Sequence, residues 1–355
     1  MSAASLTGLL GIDVPIIQGP FGGGLSSVAL TAAVSGAGGL GSFGAHHLDP
    51  GSITALVAEL TSAVPDGRPF NVNLWVPHPQ EARLRPAPAE FARLRPLYQR
   101  LGTPVPTSYT PPPAFEDQAA ALLAAQPPVI SFVMGVPPAD VVDEARRRGI
   151  VTIGTATTVD EAVAVEAAGL DIVVASGSDA GGHRGAFLRP VAESLVGTFS
   201  LVPQVVDAVS IPVVAAGGIA DRRGVAAAHA LGAAGVQIGT GFLATTESGA
   251  SPLHKAALTG PDARITVLTR LFSGRHARGI INPLIRELAA EERNVPEYPV
   301  QNALMLPLRR AAAARNDPGY VNLWAGQSAA LSQPVTAREY LAMLTADDAN
   351  RFTGV

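Results

Sequence analysis

Short apolar runs alternate along the chain with Ala-rich stretches of helical period, and Gly or Pro separates most of them. The first run covers residues 15–20 (Pro-Ile-Ile-Gln-Gly-Pro), and a helical pattern follows at about 26–35 with Ser26 or Ser27 as N-cap. The second run is 39–44, before a helix at about 52–62, and the third is 70–75 (Phe-Asn-Val-Asn-Leu-Trp). Residues 77–113 break the rhythm with Pro and Arg, a length that points to a functional or mobile segment. Runs then recur at 129–135, 151–156, 172–176, 212–216 and 236–238. Helices are predicted between them at 139–148, 158–169, 199–208 and 221–231; Thr158 and Glu161 read as a capping box and Gly169 as a stop.

Alternating strands and helices imply a parallel sheet. Eight such runs favour a closed (β/α)8 TIM barrel over the alternative of an open α/β sheet. Beyond Thr246 the texture turns more polar and reads as helical. The expected organisation is a barrel over 1–246 and 323–355, carrying the Pro-rich insertion at about 77–113. A mostly helical cap over 247–322 is inserted after the eighth strand.

Composition narrows the function classes. A net charge of -4 offers no general attraction to nucleic acid. The absence of cysteine removes disulfides, thiolate metal sites and thiol nucleophiles, and is compatible with a cytoplasmic protein. The N-terminus lacks the pattern of a signal peptide, and apolar stretches stop short of the ~20 residues of a membrane span. No metal-ligand spacing accompanies His46-His47, which reads as a surface pair. His229 and His254 read as ordinary surface or cap residues, and Arg93 and Arg95 as a solvated face. The long insertion reads as a lid or a subunit contact, so a homodimer stays open.

Candidate chemistry gathers where strands end, the active face of such a barrel. Asn71 and Asn73 share one face of the third strand. They hydrogen-bond either a polar cofactor ring or neighbouring backbone, and the two readings weigh equally. Two Gly-rich turns, Ala216-Gly217-Gly218-Ile219 and Gln237-Ile238-Gly239-Thr240, follow the last two strands. Loops in these places commonly hold phosphate, and glycine leaves backbone N–H groups free to face it. Neither turn has Walker or dinucleotide spacing. Ser176-Gly177-Ser178-Asp179-Ala180-Gly181-Gly182-His183-Arg184-Gly185 follows the sixth strand. His183 lies there among small residues, a poor setting for a core histidine and a good one for base catalysis or anion recognition. No G-x-S-x-G elbow supports a Ser-Asp-His hydrolase reading.

These motifs, with Ala37-Gly38-Gly39-Leu40-Gly41 and Leu323-Trp324-Ala325-Gly326-Gln327, stand in an order that resembles the nitronate monooxygenases, formerly called 2-nitropropane dioxygenases. The resemblance covers most of the barrel. It implies FMN, a helical substrate cap, and oxidation of alkyl nitronates or nitroalkanes by oxygen to a carbonyl compound and nitrite. It implies that Pro20, Phe21 and Gly22 run beside the flavin and that Asn71 or Asn73 hydrogen-bonds it. By the same resemblance Gly181, Ala216, Gly217, Gly218, Gly239 and Thr240 surround its phosphate or ring edge. Gln237 and Ile238 belong to that cofactor loop, and His183 matches the active-site histidine. Many relatives carry Gln where this chain has Ser176, and Gln or Lys near Thr155; the cap is also poor in tyrosine. Two other readings share these motifs: an FMN-dependent NAD(P)H reductase of enoyl thioesters or quinones, and a non-catalytic flavin-binding sensor.

Overall fold

The computed structural model describes residues 5–106 and 108–346. Residues 1–4 and 347–355, parts of the expected barrel and of the signal-peptide reading, lie outside the described residues. Eight strands form one parallel sheet: β1 (Ile16–Gln18), β2 (Gly41–Gly44), β3 (Phe70–Trp75), β4 (Val129–Val133), β5 (Val151–Ala156), β6 (Ile172–Ser176), β7 (Val213–Ala216) and β8 (Gly235–Ile238). Their spatial order is β1-β8-β7-β6-β5-β4-β3-β2. A bridge between Ile17 and Leu40 joins the two ends, with Gln18 N–H donating to Leu40 O and Leu40 N–H to Ile16 O, each at 2.9 Å. The sheet is therefore a closed barrel. Gln18, fully buried at the seam, accepts from Ser42 N–H at 2.8 Å and donates to Gly19 O.

Around the barrel run α1 (Val28–Gly36), α2 (Pro50–Ala63), α3 (Phe115–Ala125), α4 (Ala139–Arg147), α5 (Val159–Ala167), α6 (Thr198–Ala208), α7 (Arg222–Ala230) and α8 (Ala337–Thr345). Ser27 caps α1 and Thr158 caps α5 with its hydroxyl. The expected capping box at α5 is only half formed. The buried Glu161 carboxylate turns instead to the N–H groups of Thr157, Phe187 and Leu188, at 2.7, 2.6 and 3.1 Å. It thus ties α5 to the loop beyond His183. The eighth helix comes from the end of the chain, after the cap, and packs between α1 and α7.

Strand alternation decides which side chains reach the barrel mouth. On β3, Phe70, Val72 and Leu74 face the helices as part of the main core, so Asn71, Asn73 and Trp75 face the lumen. Ile153, Val174 and Val214 fill the lower lumen, closed beneath by the helix Leu6–Leu10. Above them Thr155, Ser176 and Gln237 are partly accessible while their strand neighbours are buried.

A second hydrophobic cluster stands over the mouth. The insertion contributes Leu94, Leu97, Tyr98 and Leu101, and the segment after β8 contributes Leu271, Phe272, Leu304, Met305 and Leu308. Tyr98 OH also donates to Leu304 O, and Arg93 to Gln301 Oε1 at 2.8 Å. Arg93 is thus a tie between two segments and not a solvated residue. The segment after β8 also holds a hairpin, Thr266–Thr269 with Ala277–Ile280, within a stretch expected to be mostly helical. Its strands are four residues long, too short for their alternation to stand out.

Leu97→Ala should cost about 2–5 kcal/mol of local stability, because it opens a cavity at a buried site. Amide exchange should then speed up together in Pro88–Arg100 and Val300–Ala314 and stay unchanged in β4–β7. Independent exchange of the two helices would show that they are not one unit. Among the described residues no helix is long and apolar enough to cross a membrane.

Candidate active site

His183 lies at the mouth, and three pieces of chain hold it. The segment Gly182–His183 forms a short strand, paired antiparallel with Ala277–Arg278 of the cap hairpin. The loop after β6 is therefore anchored by the cap, a contact that its small residues did not announce. Arg184 turns away and is buried; it donates to the carbonyls of Gly177 at 2.5 Å and of Ser176 and Ser194 at 3.2 Å. Asp179 accepts from Thr198 N–H and Oγ1 at 2.7 and 2.9 Å, serving the start of α6 and not the imidazole.

The His183 ring stands edge-on to Trp75 and to Trp324, with centroids 4.9 and 5.4 Å away. Its Nε2 lies 2.8 Å from Ser273 Oγ. Trp75 is stacked at 3.9 Å on His46, which correspondingly is half-buried at the mouth and not part of a surface pair. His254 is buried too, and its Nε2 lies 2.9 Å from Trp324 O, so it positions that tryptophan. Arg275 lies over the rings of Trp75 and Tyr298, 5.6 and 4.9 Å from their centroids. Its Nε donates to Glu81 Oε1 at 2.9 Å, and both side chains are close to nine-tenths buried. Its Nη1 is buried without a partner among the described residues.

Burial, and then the positive charges of Arg275 and Arg309, push the His183 imidazole down to about 3. At neutral pH it is uncharged and available as a base. His46 is likewise held well below the ordinary histidine range, first by burial and then by His47, His183 and Arg275. Arg309, pushed down to about 10 chiefly by burial, remains a cation; it donates to Asn302 Oδ1 at 2.8 Å but meets no carboxylate among the described residues. The mouth thus keeps its imidazole neutral and its surroundings positive, which suits a reaction that develops an anion.

The second part of the site is a backbone corner. Gly217 and Gly218 have φ of 106° and 71°, a left-handed pair that turns the chain sharply after β7. Gln327 N–H donates to Asp179 O at 2.9 Å, Gly326 N–H to Thr240 Oγ1 at 2.9 Å, and Ser328 Oγ to Gly218 O at 2.6 Å. The segment Gly326-Gln327-Ser328 therefore laces together the loops after β6, β7 and β8. Among the described residues the N–H groups of Gly181, Gly218, Gly239 and Thr240 find no protein acceptor, and these residues are accessible. The loop after β1 joins the same corner: Gly19 N–H donates to Ile238 O at 2.8 Å and the Phe21 ring lies against Gly239.

A family model described as nitronate monooxygenase matches residues 3–347. The chain belongs to the nitronate monooxygenase family. It is 42% identical over 332 residues to a probable nitronate monooxygenase of Staphylococcus aureus (strain Newman), covering 92% of each chain. A probable nitronate monooxygenase of Staphylococcus saprophyticus is 41% identical over 337 residues, with 94% of each chain covered. Among solved structures, nitroalkane oxidase from Streptomyces ansochromogenes superposes with a TM-score of 0.86 at 39% identity, covering 94% of this chain and 95% of that one. FabK from Thermotoga maritima gives 0.74 at 31% identity, covering 96% and 94%. This nitronate monooxygenase family member is accordingly an oxidoreductase built on a TIM barrel.

Most residues singled out in the sequence come together at the mouth of this family member. Asn71 donates to Ser42 Oγ and Ser131 Oγ at 3.1 and 2.9 Å, and its buried Oδ1 finds no donor among the described residues. Asn73 donates to Ser131 O and Oγ at 3.1 and 3.0 Å. The backbone reading is thus realised for Asn73 through Ser131 O, whereas Asn71 Nδ2 bonds two serine hydroxyls. Ile238 is a correction: its side chain belongs to the outer core, and its carbonyl is taken by Gly19, so it does not face the mouth. Ala216 is buried in the lumen, and its carbonyl accepts from Gly177 N–H at 2.9 Å. Glu81, Ser273, Arg275 and Tyr298 were missed. They lie in the insertion and the cap, where no strand end marks them.

Proposed function

We propose that this enzyme binds FMN at the barrel mouth and oxidises alkyl nitronates, or nitroalkanes, to a carbonyl compound and nitrite. The observation that carries the reading is a neutral imidazole at the mouth, set among buried cations and above free backbone N–H groups. The residues present fit the cofactor. The N–H groups of Gly181, Gly218, Gly239 and Thr240 suit its phosphate, with the Gly217 turn bringing them into reach. Asn71, Asn73, Thr155, Ser176 and Gln237 suit the polar edge of the ring, and the buried Asn71 Oδ1 has a bond left to accept. The Phe21 ring lies beside Gly239, and Pro20 and Gly22 flank it in the chain. Bound there, FMN supplies electron acceptance and the reaction with oxygen.

The chain supplies the rest. His183 takes the α-proton of a neutral nitroalkane, and Arg275 and Arg309 stabilise the nitronate charge that results. Trp75, Trp324 and Tyr298 exclude water and hold an alkyl group flat. The 247–322 segment, which brings Tyr298 and Arg275, and the insertion, whose Glu81 holds Arg275, serve as the substrate cap. The absorption spectrum of the purified protein tests the cofactor, and anaerobic mixing tests the substrate. Bleaching by nitronate and not by NADH is the expected result. Bleaching by NADH alone would move the protein to the NAD(P)H-dependent reductases.

A further inference from the structure

Ser273 touches the imidazole, and its other two hydrogen-bond contacts favour one arrangement of the shared proton. It sits in the cap hairpin between Thr266–Thr269 and Ala277–Ile280 and is buried. Its Oγ lies 2.8 Å from His183 Nε2, 3.1 Å from the Arg275 carbonyl and 3.3 Å from the Arg275 amide nitrogen. A serine hydroxyl has one proton and two lone pairs. The Arg275 N–H takes one lone pair. The Arg275 carbonyl only accepts, and the hydroxyl meets it at 3.1 Å, which assigns the hydroxyl proton there. With that assignment His183 Nε2 faces the remaining lone pair and pairs with it as a donor. Nδ1 has no partner among the described residues, yet it is not among the buried unpaired atoms, so it opens on the mouth.

We propose that Ser273 is a positioning residue that holds His183 as the Nε2–H tautomer, so that Nδ1 is the atom that takes the substrate proton. The proposal rests on the reading of His183 given above. In the step the substrate C–H bond breaks, an Nδ1–H bond forms, and the electron pair moves onto the nitro oxygens. The products are a nitronate and an imidazolium. The imidazolium keeps its Nε2–H on Ser273, and its new Nδ1–H donates to a nitronate oxygen, so nothing has to rotate. A nitronate supplied as such skips the proton transfer and depends less on the resting tautomer.

Ser273→Ala removes the acceptor and leaves a buried N–H unpaired, which drives the proton to Nδ1. Nitrogen-15 spectra of the FMN-loaded enzyme, with the His183 signals assigned by their loss in His183→Ala, report this directly. The expected wild-type pattern is an unprotonated Nδ1 and a protonated Nε2; Ser273→Ala should reverse it, and Ser273→Thr should restore it. The kcat on a neutral nitroalkane should fall about tenfold in Ser273→Ala, with KM little changed. The loss should exceed that on the matching nitronate by about fivefold or more. A protonated Nδ1 in the wild type, or equal losses on both substrates, would overturn the assignment. The spectra need no turnover, so they fail separately from the functional reading, which an active His183→Ala variant would defeat.

Discussion

His183→Ala should retain FMN and lose about 10²- to 10⁴-fold in kcat/KM on a nitroalkane, the usual worth of a positioned general base. The cofactor should stay because its proposed phosphate corner, at Gly218, Gly239 and Thr240, has no contact with the ring of His183. The pH profile gives the same assignment a second test. An ordinary histidine, with a pKa near 6.5, would be about 90% protonated at pH 5.5 and would lose about tenfold in free base. His183, pushed down to about 3 by burial and by Arg275 and Arg309, stays neutral across that window. The kcat/KM on a neutral nitroalkane should therefore hold within about twofold from pH 7.5 to 5.5. A tenfold fall over that range, or a variant with full turnover, would remove His183 from the chemistry. The shift has a sign for stability as well. Below 6.5 the unfolded imidazole binds a proton that the folded one refuses, so His183 makes the fold less stable as pH drops toward 3.

Gly239→Asp should weaken FMN binding by about 100-fold or more while the cofactor-free protein keeps its melting temperature. Gly239 has a φ of -97°, which any residue adopts, and an added Cβ would meet only the Phe21 ring at 3.5 Å. The substitution therefore fits, and its effect is one of charge. A carboxylate beside a phosphate at 4 Å costs about 4 kcal/mol per charge pair at an effective dielectric of about 20, before screening. Gly239→Ala is the steric control and should change affinity by less than about threefold. Titration with FMN, followed by flavin fluorescence, reads both. Equal affinity in Gly239→Asp and the parent would place the phosphate elsewhere.

The barrel was legible because its strands are buried on both faces and bounded by Gly and Pro, so they stand out as runs. The mouth was legible where it borrows from those strands. Asn71, Asn73 and, two residues on, Trp75 follow one period, and the period puts the tryptophan beside the amides. The contacts of His183 were not legible. Ser273 and Arg275 belong to a loop between two four-residue strands, and Glu81 to a short turn in the insertion. Nothing in their local pattern separates them from surface polar residues, and only the folded cap brings them to the ring. His46 and His254 failed for the opposite reason. A histidine just past a strand end or on a short helix reads as solvated, and the partners that hold these two, the Trp75 ring and the Trp324 carbonyl, come from distant parts of the chain.

The late arrival of α8 bears on how the protein is made. Tyr340 OH donates to Ala220 O at 2.6 Å, and the helix covers the flank between α1 and α7, which belong to opposite ends of the barrel sequence. A ribosome must therefore release all eight strands, the seven preceding barrel helices and the segment after β8 before that flank is sheltered. Until then the growing chain carries a greasy seam, which is where a nascent-chain chaperone would be expected to dwell.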